Sequence, residues 1–151
     1  MRRILAVLAL LAVAGAAQAR LNIEITGGME GALPIAVVPF GWQGPGEAPA
    51  VIGAIVAADL RRSGAFAPLP EERLPARPHS GREIRFDRWR GVGAENLVVG
   101  RLRRVEQGRF RVDFQLFDAL GGGQLTGYSI EAGAGGLRRV AHQISDIVYE
   151  E

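Results

Sequence analysis

Apolar positions along this 151-residue chain change their spacing from one stretch to the next, and each spacing predicts an element. Leu21, Ile23 and Ile25 alternate with Asn22 and Glu24, the period of two that marks a short strand or an extended arm ahead of Gly27-Gly28. Residues 34–40 are a continuous apolar run, as expected of a strand buried on both faces. A turn rich in glycine and proline follows. Val51, Ile52, Ile55, Val56 and Leu60 then fall on one face at helical spacing, with Pro49 suited to the first turn and Gly64 to the stop. Arg61 and Arg62 sit where they complement the helix dipole.

Residues 65–69 read as a short strand, and the prolines and charges of 69–83 as a surface loop. Phe86 and Trp89 predict one or two helical turns closed by Gly91 or Gly93, feeding a strand over 96–105. Glu106-Gln107-Gly108 turns the chain. Phe110, Val112, Phe114 and Leu116 alternate with Arg111, Asp113 and Gln115, which predicts a hairpin with one buried face. A second turn at 120–123 leads to a strand over 124–131. In residues 136–151 the stripe Leu137, Val140, Ala141, Ile144, Ile147 and Val148 predicts a helix that meets no Gly or Pro stop, so the expectation is that it continues beyond Glu151.

The first nineteen residues change the picture of the whole. Arg2 and Arg3, an apolar run from Ile4 to Ala14 and the small-x-small ending Ala17-Gln18-Ala19 have the form of a secretory signal. The run is shorter than the roughly 20 residues of a membrane span. The expectation is an exported chain starting at Arg20, peripheral to membranes and not inserted. Without Arg2 and Arg3 the 18 basic residues of the chain fall level with its 16 acids, so the pI near 9.9 reflects arginine usage and not an excess of positive charge. With no cysteine, thiol nucleophiles, thiolate metal sites and disulfides are excluded, and stability must come from core burial. His79 and His142 are the only imidazoles; both are expected to be solvated, and no metal or other cofactor is expected.

Candidate chemistry is sparse. Strand, glycine-rich turn and helix is the order of a phosphate cradle, but Gly41-Trp42-Gln43-Gly44-Pro45-Gly46 lacks the lysine and hydroxyl of a P-loop. Pro45 removes a donor amide, and Glu47 puts negative charge where phosphate would sit. Gly91-Val92-Gly93 leads into a strand instead of a helix, and no serine stands in a nucleophile elbow, so a hydrolase triad would need assembly by tertiary structure. Residues 73–111 hold eleven arginines against Glu83, Asp87, Glu95 and Glu106. A sheet face carrying Arg101, Arg103, Arg109 and Arg111 is an alternative surface for anionic lipid or nucleic acid. Phe86, Trp89 and Phe110 fit core positions, so no stacking platform interleaves those charges, and a solvated face or protein-docking patch is the preferred expectation.

From Arg20 onward the chain resembles the N-terminal domain of the TolB family, periplasmic components of the Tol-Pal system of Gram-negative envelopes. The resemblance rests on "RLNIEIT", "PIAVVPFGWQGPGEAP", "IGAIVAADLRRSGAFAPL", "LPARP", "RWRGVGAENLVVG", "FQLFDALGGGQL" and "AHQISDIVYEE" in that order. It implies an α/β domain, a mixed β-sheet of about five strands flanked by two main helices. It also implies a division into a signal over 1–19, an arm over 20–33 and the domain over 34–151, with the family's C-terminal β-propeller absent from these residues. The expected role is non-enzymatic. TolA is expected to bind the arm at Arg20, Leu21, Asn22, Ile23, Glu24, Ile25, Thr26, Gly27 and Gly28, whereas Pal is expected mainly on the propeller. Alternating residues at a free terminus suit strand addition to a partner's sheet. The alternatives are a small-ligand-binding or enzymatic α/β domain and the anionic-surface module.

Overall fold

The computed structural model describes residues 31–106 and 108–151. Its elements are β1 (Leu33–Val37), β2 (Gly41–Gln43), α1 (Ile52–Ser63), β3 (Phe66–Pro68), α2 (Phe86–Gly91), β4 (Asn96–Glu106), β5 (Arg109–Asp118), β6 (Gln124–Gly133) and α3 (Leu137–Glu150), with single 3-10 turns between some of them. They make one mixed sheet in the order β3-β1-β4-β5-β6. The expected signal over 1–19 and the expected TolA-binding residues 20–28 of the arm over 20–33 lie outside the described residues.

The sixth strand comes from a break the sequence pattern hides. Residues 34–40 read as one strand, yet β1 ends at Val37 and β2 resumes at Gly41 along the same side of β4. The two are one strand interrupted at Pro39, which has no N–H to give the ladder. The glycine-rich turn therefore begins later than its composition suggests, since Gly41, Trp42 and Gln43 pair with Arg101, Leu102 and Arg103. Helix α1 likewise starts at Ile52, so Pro49 precedes it and Val51, 68% exposed, is its cap and not part of its buried stripe.

Parallel strands need long crossovers, and here the two crossovers lie on opposite faces. Helix α1 joins β2 to β3 across one face; the segment 69–95, with α2 inside it, joins β3 to β4 across the other. On the first face Ile35, Val37, Val98 and Leu102 pack under Ile52, Val56 and Leu60 of α1, while Val140, Ile144 and Val148 of α3 extend the roof over β5. On the second face Ala36, Val38, Leu97 and Val99 pack under Ile84 and Trp89. Strands β1 and the first half of β4 are thus buried on both sides, which is why neighbouring residues in them are all apolar.

Two glycines are fixed by this geometry. Gly64 ends α1 in the left-handed conformation, φ 76°, and returns its N–H to the Arg61 carbonyl. At Gly100 a Cβ would stand 2.4 Å from the Phe40 ring and 2.7 Å from the Asp113 carbonyl, so the core closes only over a missing side chain.

Candidate functional site

Helices α1 and α3 lie side by side, and their apolar stripes carry polar neighbours that meet across the seam. Asp59 precedes the buried Leu60, His142 follows the buried Ala141, and Ser145 lies one turn beyond Ala141. His142 Nδ1 hydrogen-bonds Asp59 Oδ2, and the Ser145 hydroxyl lies 3.2 Å from the same oxygen and 3.0 Å from the Ala141 carbonyl. Arg62 donates to Asp59 Oδ1 at 2.9 Å. Burial pushes the Asp59 carboxyl up, but the His142 hydrogen bond and charge, with Arg62 and Ser145, outweigh it and hold the group below its ordinary value. His142, its side chain 43% exposed, meets solvent as expected but is also tied to Asp59.

Serine, histidine and aspartate within reach of one another invite comparison with a hydrolytic triad, and the connectivity rules it out. A nucleophile must hand its proton to the histidine. Here Ser145 and His142 both address the same carboxylate oxygen, and the serine is 5% exposed. The cluster is a polar clamp between two helices. Sequence reading missed it because its members are more than eighty positions apart; a polar residue flanking each apolar stripe was the available signal.

The arginine-rich surface is where alternation predicted it. Arg101, Arg103, Arg109 and Arg111 share the sheet face that α1 and α3 leave uncovered, but carboxylates stand among them. Arg101 and Arg103 pair with Asp113 at 3.2 and 3.4 Å, and Arg109 and Arg111 converge on Glu131. Burial raises the Asp113 carboxyl, yet hydrogen bonds from Ser129 and Arg101 and the Arg103 charge hold it below its ordinary value. Two of the four positive charges are thus balanced in place, and a continuous basic face for phosphates is not formed. Phe110 and Trp89 lie in the core, as their positions suggested, and Phe86 is half-buried against Phe117.

Next to these pairs the open face holds a cleft of about 520 Å³. One wall is the segment around Gly81, fixed by Gly81 N–H donating to Gln115 Oε1 at 2.9 Å, while Gln115 Nε2 donates to Gln124 Oε1 at 2.8 Å. His79, although exposed, stacks closely over Gly41 at the rim. In the glycine-rich turn Trp42 Nε1 donates to the Gly46 carbonyl at 2.9 Å, closing the loop on itself. Among the described residues no three histidine or carboxylate side chains are grouped to hold a metal ion.

The sequence profile of the TolB amino-terminal domain matches residues 21–125 of this chain. The chain belongs to the TolB amino-terminal domain family. A Tol-Pal system protein TolB of Thioalkalivibrio sulfidiphilus is 54% identical over 136 residues, covering 89% of this chain and 31% of the relative. One of Nitrosococcus oceani is 51% identical over 130 residues, 86% of this chain and 30% of the relative. The chain thus spans under a third of the length of these relatives. The crystal structure of TolB from Acinetobacter baumannii superposes with a TM-score of 0.65 at 30% identity, over 79% of this chain and 28% of that one. The fold is accordingly that of the TolB amino-terminal domain, as the resemblance implied.

Proposed function

We propose that this domain works by binding and not by catalysis, as a periplasmic component of the Tol-Pal system that engages TolA through residues 20–28. The profile match supports this reading most directly, because it begins at Leu21 and so takes in the alternating segment as part of the family's domain. Alternation at a terminus gives a strand that a partner's sheet edge can accept, with main-chain hydrogen bonds for affinity and every second side chain for selectivity. The role in the cell is support of outer-membrane integrity and of constriction at division. Pal, in this reading, docks on the β-propeller that follows the domain in the family.

The connectivity of Asp59, His142 and Ser145 speaks against hydrolysis at the seam between α1 and α3. The ion pairs of Arg101, Arg103, Arg109 and Arg111 speak against a membrane or nucleic-acid face.

The test is calorimetric titration of the periplasmic C-terminal domain of TolA with residues 20–151 and with a form beginning at Ala32. Binding by the longer form alone is the expected result. Equal binding by both, or by neither while both are folded, overturns the assignment to the arm.

A further inference from the structure

We draw no further inference here: the strongest candidate, the apolar cleft of about 380 Å³ between the flank of α1 at Ala54 and Ala57 and the segment 69–71, is lined by one charge of each sign, Arg61 and Glu71, and nothing in the structure shows what covers it.

Discussion

The two halves of the sheet are built on different terms. Around β1 and the start of β4 both faces are roofed, one by α1 and one by the segment carrying Trp89, so residues of both parities are buried. In the β5–β6 hairpin the second face meets a helix only at Phe117, and beyond it carries Asp113, Arg111 and Glu131 in ion pairs, with Arg101 of β4 among the partners. Buried apolar area stabilises in proportion to what is removed from water, whereas exposed ion pairs contribute little. The first half therefore stabilises the domain through both of its faces and the second through one. The second half can vary its charges without unfolding, which makes it the better place for recognition.

The sharpest way to break this contrast is at Trp89, 1% exposed in the smaller of the two cores. Trp89→Ala should lower stability by about 3–5 kcal/mol through lost burial and the cavity left behind, read as a large fall in the urea midpoint. A loss no larger than that of a surface substitution would mean the segment 69–95 lies on the sheet without stabilising it.

A smaller effect is expected at the clamp between α1 and α3. His142→Ala takes one of three donors, Arg62 and Ser145 remaining, from a carboxylate whose side chain is only 15% exposed, at a cost of about 1 kcal/mol. The pH dependence has a definite sign. Burial raises the Asp59 carboxyl, but His142, Arg62 and Ser145 lower it further than burial raises it, so its folded value lies below the ordinary 3.8. A depressed carboxylate contributes stability above its unfolded value, and that contribution is lost as pH falls through the folded one. The parent chain should lose stability on acidification below about pH 4, and His142→Ala should show a flatter acid limb in urea melts taken across that range. An unchanged acid limb would remove the clamp from the account of stability.

What the sequence made legible follows the same division. Alternation in residues 109–118 marked the exposed and buried faces of β5 correctly, because one side of that strand meets water and the pattern records it. The run over 34–40 gave no such information. A strand buried on both sides is apolar throughout, so periodicity said nothing about where it stops, and Pro39 decided it through a missing N–H. The arginine face was placed by residue spacing, but its neutralisation was not, since Glu131 reaches Arg109 and Arg111 only once β6 folds back in register. The cleft was invisible for a related reason: its wall hangs on Gly81 meeting Gln115, thirty-four residues away. The helix clamp was likewise a tertiary event.

The smallest effect is expected on the open face. Glu131→Gln removes the carboxylate on which Arg109 and Arg111 converge. The Arg111 hydrogen bond, opposed by slight burial, holds Glu131 below its ordinary value, so in principle its pairing favours the fold above that value and fades as acid is added. The pair is open to water, however, and salt screens it. The urea midpoint of Glu131→Gln should accordingly match that of the parent within error, at low and at high salt alike. A clear fall at low salt that vanishes at high salt would show the hairpin held by its charges, and the division between a half that stabilises through both faces and a half free to recognise would no longer stand.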